Sequence, residues 1–239
     1  MRGLRGQRVL VTGAAGGIGA AATERLVAEG VHVAAADLAP PDLDAEVSLA
    51  GDVTDEDAVE RLVAEARAAL GGLDGLVLTA GIHHVGPTHE TSAADFDRVL
   101  AASARGTFLC LRAALPHLLE QRSGRIVTFA STAALVGAPG LTAYAAAKGA
   151  VLQITRSIAA EYAAQGIRAN CLCPGATNTP LLRRLMADRP DPERFEQAHP
   201  IGRFADPREI AGATAFLLSD DASFFVGSAV TCDGGFTAV

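Results

Sequence analysis

The 239-residue sequence contains no tryptophan, and only 5% of its residues are aromatic. Acidic residues also outnumber basic ones, which gives the chain a formal net charge of −7. Proteins that bind single-stranded nucleic acid stack the bases on aromatic side chains. Proteins that bind duplexes or anionic membranes need a basic face. The sequence therefore predicts no nucleic-acid partner and no membrane partner.

Cysteine is scarce, and its spacing does not fit a metal site. The four cysteines form no CxxC pair and have no metal-ligand pattern nearby. We therefore expect no metal and reduced thiols. The apolar run at residues 9–11 is too short for a signal peptide, and no stretch approaches the ~18 residues of a membrane span. Together these absences predict a cytoplasmic protein.

What the sequence does contain is an alternation of short apolar strands and helical runs. Residues 8–12 (RVLVT) favour a buried strand, and the glycine-rich segment 13–19 (GAAGGIG) opens a helical run to about Glu29. Residues 31–37 favour a second strand, which ends in Asp37. Glycines let the backbone approach a pyrophosphate, and a helix N-terminus attracts negative charge. This order predicts a dinucleotide-binding βαβ unit.

Asp37 also bears on the choice of dinucleotide. A carboxylate at the end of the second strand accepts hydrogen bonds from both ribose hydroxyls of NAD and repels the additional phosphate of NADP. No arginine or lysine stands at the neighbouring positions that could bind this phosphate, namely Ala14, Ala15, Gly16 and Leu38. We therefore predict NAD(H) as the cofactor.

The rest of the chain continues the alternation. Helices are expected between the later strands, and one over 55–70 would have Thr54 as its N-cap. The fold class expected is α/β: a single Rossmann-type, doubly wound, seven-stranded parallel sheet with helices on both faces, in one domain over 1–239. The polar, proline-broken segment 179–203 is predicted to form a mobile substrate lid. The later strands are predicted at 46–53, 73–81, 124–131, 166–173 and 228–235.

Ligands bind such sheets beyond the carboxyl ends of the strands. Several distinctive residues fall at these predicted ends, and their convergence on one edge indicates a single site there. They are Gly13, Asp37, Asp52, Gly81, Ser131 and Pro174.

A serine, a tyrosine and a lysine stand at a spacing suited to proton transfer. Tyr144 and Lys148 lie in an alanine-rich stretch without proline, which predicts a shared helix. At i,i+4 they occupy the same face, one turn apart. A nearby positive charge favours the phenolate of a tyrosine, whose ordinary pKa is ~10. Ser131 is placed to hold a substrate oxygen beside this phenol.

Over essentially its whole length the chain resembles the short-chain dehydrogenase/reductase family. Each motif alone is weak, but their combination is specific. The matching residues are Thr12-Gly13-(x3)-Gly17-Ile18-Gly19, Asp52-Val53, Ala80-Gly81, Ser131 with Tyr144-(x3)-Lys148, Pro174-Gly175 with Thr179, and Asp233-Gly234-Gly235.

The resemblance implies a role for each of these residues. Tyr144 would exchange a proton with the substrate oxygen, Lys148 would lower the pKa of Tyr144 and hold the nicotinamide ribose, and Ser131 would orient the substrate. Helix-to-helix dimer packing and a homotetramer are also implied. The cofactor-binding residues expected are Gly13, Gly17, Ile18, Gly19, Asp37, Leu38, Asp52, Val53, Ala80, Gly81, Tyr144, Lys148, Pro174, Gly175, Thr177 and Thr179.

The chain departs from the family pattern at two places. Leu78 and Thr79 replace an asparagine pair that usually precedes Ala-Gly. Ser103 replaces an asparagine that usually kinks its helix and holds a water linking the lysine to solvent. Serine can still bond a water or a carbonyl. We therefore include Ser103 with the catalytic residues, as part of a working but slower proton relay.

The function predicted is an NAD(H)-dependent oxidoreductase that interconverts a secondary alcohol and a ketone on a small or medium organic substrate. One alternative is an NADPH-linked 3-oxoacyl-thioester reductase, against which Asp37 argues. A second alternative is a cyclic diol or dihydrodiol dehydrogenase. A third is a non-catalytic NAD-binding protein, and Ser103 is the only residue that favours this third alternative. His83 and His84 either line the substrate pocket or are solvated loop residues.

Overall fold

The structure is a computed structural model that describes residues 1–187 and 192–239. Within these residues, seven parallel strands form one sheet in the order β3-β2-β1-β4-β5-β6-β7. The predicted fold class is confirmed. The strands are β1 Arg8–Thr12, β2 His32–Asp37, β3 Val47–Ala50, β4 Gly75–Leu78, β5 Gly124–Phe129, β6 Ile167–Pro174 and β7 Ala229–Cys232.

Helices cover both faces of the sheet. Helices α1 and α8 pack on one face, where their apolar side chains form a core with β1, β2 and the β5–β6 centre. Helices α2 and α4 build a second core on the other face. The helices in the described residues are α1 Gly17–Ala28, α2 Glu56–Leu70, α3 Ala93–Leu100, α4 Gly106–Glu120, α5 Thr142–Tyr162, α6 Pro180–Ala187, α7 Pro192–Gln197 and α8 Pro207–Leu218.

The strand order reverses between β1 and β4, which are neighbours in the sheet. A crevice opens at such a reversal, because the connections on either side leave in opposite directions. The parallel strands all end on this edge, so the sheet brings together residues that are far apart in sequence. No helix among the described residues has both the length and the apolarity needed to cross a bilayer.

Three local predictions need correction. The N-cap of α2 is Asp55, whose carboxylate accepts from the Ala58 N–H, and Thr54 instead donates to Asp52. The sequence predicts two helical runs between β4 and β5, at roughly 92–103 and 104–121, but they are one continuous helix, since a π-helical turn over Ala101–Arg105 joins α3 to α4. Most strands are shorter than predicted, because pairing stops where the chain turns out of the sheet.

The segment predicted as a lid contains α6 and α7. Pro180 begins α6 and Pro192 begins α7, as expected for proline in a first helical turn. Pro190, on which part of that prediction depended, lies outside the described residues. The mobility of the segment remains a prediction.

Candidate active site

The glycine-rich turn after β1 is pressed against the end of β4. Gly13 has a φ of +72°, and a Cβ there would lie 2.6 Å from the backbone nitrogen of Ala80. A Cβ on Gly19 would overlap the carbonyl oxygen of Gly13. Only glycine fits these two positions, the first because of its backbone angle and the second because of the space. Ile18, between them in the turn, packs against the α1–α8 core.

Thr79 fixes this turn from the neighbouring strand. Its Oγ1 donates to the carbonyl oxygen of Thr12 over 2.7 Å and lies 3.2 Å from that of Gly13. Thr79 is one of the two residues that depart from the family pattern. A hydroxyl therefore makes the link between β4 and the turn at this position.

The N-terminus of α1 is suited to an anion. Gly16 caps it without a side-chain hydrogen bond, and its first turn contains no acidic residue. The free N–H groups of a first turn carry partial positive charge. Asp37 stands beside the turn, accepting from the N–H groups of Ala15 over 2.9 Å and Leu38 over 2.8 Å. The uncapped N–H groups at the start of α1 fit the pyrophosphate of a nicotinamide dinucleotide, and the adjacent Asp37 carboxylate fits its ribose.

The next predicted cofactor residues lie at the end of β3. Asp52 Oδ1 accepts from both the N–H and the hydroxyl of Thr54, each over 2.8 Å. Val53 packs closely on Gly106, where a Cβ would lie 2.8 Å from the valine Cγ2. These contacts fix the loop that borders one side of the crevice.

The segment after β6 closes the crevice on its other side. A Cβ on Gly175 would lie 2.8 Å from Cα of Asp233, so β6 and the end of β7 meet there without a side chain between them. The Thr177 hydroxyl donates to the Gly175 carbonyl over 3.0 Å. Thr179 is buried against Gly17 and accepts from the Leu182 N–H at the start of α6. Pro174 ends β6 beside this segment.

Ser131, Tyr144 and Lys148 converge, as their spacing predicted. The ammonium nitrogen of Lys148 lies 5.7 Å from the ring centroid of Tyr144 and donates to the Phe129 carbonyl over 2.8 Å. The Ser131 hydroxyl lies near enough to the Tyr144 hydroxyl to lower its pKa, and it also accepts from the Ala133 N–H over 3.2 Å. Gly81 completes the group, because a Cβ there would lie 3.3 Å from Lys148 Nζ. A phenol, a hydroxyl and an amine thus share one small volume.

Burial controls the electrostatics of this group. It raises the pKa of Tyr144 above its ordinary value, and the nearby Ser131 hydroxyl offsets only part of this effect. Burial also lowers the pKa of Lys148, to about 8. The pKa of Tyr144 is thus shifted upward, whereas the sequence predicted a downward shift. The reason is that desolvation disfavours both the lysine ammonium and the tyrosine phenolate.

Ser103 lies inside the π-helical turn, next to the same group. Its side chain is fully buried, and its Oγ has no hydrogen-bond partner among the described residues. A Cβ on Gly81 would lie 2.9 Å from this oxygen and 3.3 Å from Lys148 Nζ. The Ser103 hydroxyl and the Lys148 amine are therefore close to each other, because both border the position that a Gly81 Cβ would occupy.

Comparison with known proteins agrees with this geometry. A family model described as Enoyl-(Acyl carrier protein) reductase matches residues 13–237. The cis-4-hydroxycyclohexanecarboxylate dehydrogenase of Sinomonas cyclohexanicum is 44% identical over 241 residues, with 96% of each chain covered. The chain belongs to the short-chain dehydrogenase/reductase family.

Two further relatives of this family are informative. The inactive 2-(S)-hydroxypropyl-CoM dehydrogenase 2 of Xanthobacter autotrophicus is 48% identical over 192 residues, covering 79% of this chain and 84% of that protein. The crystal structure of levodione reductase has a TM-score of 0.93 at 37% identity, covering 98% of this chain and 99% of that one. Like its relatives, this short-chain dehydrogenase/reductase is an oxidoreductase that interconverts secondary alcohols and ketones.

This short-chain dehydrogenase/reductase also contains a buried histidine that our sequence analysis missed. His199 Nε2 accepts from the Ala176 N–H over 3.3 Å, and its Nδ1 lies 3.1 Å from the Phe195 carbonyl oxygen. The rings of Phe204 and Phe236 pack against it. His199 thus joins the segment after β6 to α7. The only local signal was the run of prolines around it, and these prolines were the basis for predicting a lid.

The histidines after β4 differ in their surroundings. His83 is half-buried, and burial, with smaller contributions from the charges of Arg184 and His84, lowers its pKa. His84 Nδ1 lies 3.8 Å from a carboxylate oxygen of Asp95. Of the two readings left open by the sequence, the partly buried position of His83 favours a lining residue.

Proposed function

We propose that the protein is an NAD(H)-dependent oxidoreductase in which Tyr144 acts as the general acid and base. The observation that carries this proposal is the convergence of Ser131, Tyr144 and Lys148 at the crevice where the strand order reverses. In the oxidative direction the Tyr144 phenolate takes the hydroxyl proton of the alcohol, and in the reductive direction the phenol returns it. Ser131 holds the substrate oxygen next to the phenol.

The preference for NAD over NADP rests on Asp37. Its carboxylate already lies beside the glycine-rich turn, bonded to two backbone N–H groups. A negative charge at this position repels the extra phosphate of NADP and accepts hydrogen bonds from ribose hydroxyls. Replacing Asp37 with serine is expected to raise kcat/KM with NADP relative to NAD.

Lys148 provides the charge that makes proton transfer feasible. With a pKa of about 8 it still carries its proton at pH 7. A protonated amine one helical turn away favours the phenolate against the cost of burial. NAD, when bound, supplies the acceptor for the hydride. The residues proposed to border the bound dinucleotide are Gly17-Ile18-Gly19, Asp52-Val53, Ala80-Gly81 and Pro174–Thr179.

Ser103 is proposed to carry protons between Lys148 and solvent. A buried hydroxyl without a partner costs free energy unless it bonds to a water or a neighbouring group. Its position beside Gly81 and Lys148 suits a short relay through a water. If Ser103→Ala leaves both turnover and its pH profile unchanged, Ser103 has no part in the relay.

The proposed working form is a cytoplasmic homotetramer. Large apolar side chains are exposed on the α4 surface and near the C-terminus, with Phe108 at 47% and Phe224 at 99% exposure. Burying such residues between subunits is favourable. Analytical ultracentrifugation tests the tetramer, and residues 179–203 are proposed as the lid of each subunit's site.

The deciding experiment is a screen of secondary alcohols and ketones, cyclic diols included, with NAD and NADP, followed by the absorbance of the reduced cofactor. Turnover with NAD is the expected result. A second candidate, a protein that binds NAD without turnover, is favoured by the name of the inactive Xanthobacter relative. Tight NADH binding with no turnover across the whole panel would support that candidate and overturn ours.

A further inference from the structure

Helix α6 presents two different faces to its surroundings. Arg183 and Met186 line a groove of about 420 Å³ between α6 and α7. Arg183 also donates to the Asn178 side-chain oxygen over 3.0 Å. Leu181 and Arg184, three residues apart, lie on the opposite face of the helix. These two side chains are therefore directed away from α7, and both are exposed.

The face that carries Arg184 is the one near the loop after β4. Arg184 lies close enough to His83 for its charge to act on that imidazole. Ile82, the preceding loop residue, packs against the apolar cluster that includes Tyr144. At its other end, α6 begins directly after Thr179, which contacts the glycine-rich turn. Helix α6 therefore runs along the mouth of the site, from the turn to the loop beside Tyr144.

Arg184 has no carboxylate partner in the part of the chain that the structure describes. The carboxylate of Asp95, on the helix that follows the loop after β4, already accepts from Arg98 and from Ser92, each over 2.7 Å. The neighbouring Arg183 also lacks a carboxylate partner among the described residues, but its guanidinium donates to Asn178. The guanidinium of Arg184 is therefore the one of the two that is available to a ligand.

We propose that Arg184 binds the carboxylate of an anionic substrate, a hydroxy acid or keto acid whose reacting carbon lies at Tyr144, with His83 beside it. The proposal rests on the function proposed above, since both need the same cleft. A guanidinium forms two parallel hydrogen bonds to a carboxylate, which gives orientation as well as affinity. About 6 Å of helix separates Pro180 from Arg184, so the anion would lie one turn beyond Thr179.

Steady-state kinetics test this with a matched pair of substrates. The probes are cis-4-hydroxycyclohexanecarboxylate and its carboxamide, oxidised with NAD by the wild type, Arg184→Gln and Arg183→Gln. Arg184→Gln is expected to raise KM for the carboxylate about 10–100-fold, the loss of one charge-assisted pair, and to leave the amide unchanged. Arg183→Gln, which alters the α7 face of the same helix, should change neither. Equal effects of Arg184→Gln on both probes would overturn the proposal.

A binding measurement separates this proposal from the oxidoreductase function. Calorimetry with the enzyme–NADH complex compares cyclohexanecarboxylate and butanoate with their amides. Tighter binding of at least one carboxylate than of its amide, lost in Arg184→Gln, supports the role of Arg184 even if neither alcohol is oxidised. If neither carboxylate is preferred by the wild type, Arg184 does not recognise an anion, whatever the turnover with neutral alcohols.

Discussion

The two ends of the crevice are constructed differently. The proposed nucleotide end, formed by residues 13–19, Asp37 and Thr79, is defined by backbone positions and by glycines that leave no room for a side chain. The proposed substrate end, formed by residues 81–90 and by the segment from α6 to His199, is defined by side chains such as His83, Arg184 and His199. Backbone geometry serves one shared ligand, whereas side chains can be exchanged to suit different substrates. The predictions below test this division.

The largest effect is expected where the two ends meet, at Tyr144. Tyr144→Phe keeps the ring and removes the hydroxyl, so kcat should fall about 10²–10⁴-fold, the usual contribution of general acid–base catalysis. The variant should still bind NADH in a fluorescence titration, because the glycine-rich turn and Asp37 are intact. Tyr162→Phe, at the far end of the same helix, is the matched control and should keep full activity. Normal turnover by the Tyr144→Phe variant would rule out the proposed mechanism.

Gly19→Ala should lower both the stability of the protein and its affinity for NADH, because it alters the glycine-rich turn. The added methyl group meets the Gly13 carbonyl, and overpacking of this kind costs about 1–3 kcal/mol in the free energy of unfolding. NADH affinity should fall as well. Gly212→Ala is the same change in α8, where the nearest atom, Arg25 Nη1, would lie at an ordinary 3.7 Å. Chemical denaturation should show that Gly212→Ala is neutral or stabilising by up to ~1 kcal/mol; similar losses for both would contradict the packing argument.

His199→Leu should damage mainly the substrate end. The variant leaves the part-buried Ala176 N–H without its histidine acceptor, which costs at most about 1–3 kcal/mol in the free energy of unfolding. We expect KM for the alcohol to rise more than the Kd for NADH. His32→Leu, an exposed histidine at the start of β2 and therefore at the opposite edge of the sheet, serves as the control. A rise in the Kd for NADH alone would place His199 with the nucleotide end.

The most gradual effect is a pH dependence of the free energy of unfolding that is due to Lys148, a residue between the two ends. Its pKa is about 8 in the folded protein, below its ordinary value of 10.5. Between these values the unfolded chain holds a proton that the folded lysine has released, so this group makes the free energy of unfolding rise with pH. Denaturation of wild type and Lys148→Met from pH 7 to 10 isolates the contribution as a difference. A difference that stays constant or falls over that window would contradict the assignment.

The same division explains how much could be predicted from the sequence. Periodicity and glycine spacing placed all seven strands, because buried parallel strands and tight turns depend on local chemistry. Asp37 and the i,i+4 pair of Tyr144 and Lys148 were placed for the same reason. The cap of α2 was predicted one residue early, since threonine and aspartate are both good N-caps.

What the sequence could not show depends on contacts between distant segments. The importance of His199 becomes visible only in the fold, where the segment after β6, α7 and the ring of Phe236 meet around it. Arg184 stands out only once α6 is seen beside the loop after β4. The pKa of Tyr144 depends on how deeply the fold buries it, which no local pattern reveals. The π-helical turn escaped prediction because residues 101–105 have ordinary helix-forming composition.

That turn has one further consequence. Its wider winding takes up one surplus residue in an otherwise continuous helix from 93 to 120, so α3 and α4 stay in phase on either side of it. Deleting one position within 101–105 should therefore restore a regular α-helix and leave the outward face of α4, including Phe108, where it is. The same deletion would remove the local widening in which Ser103 is buried beside the lysine, so the surroundings of Ser103 can change without a change in the surface that α4 offers to a neighbouring subunit.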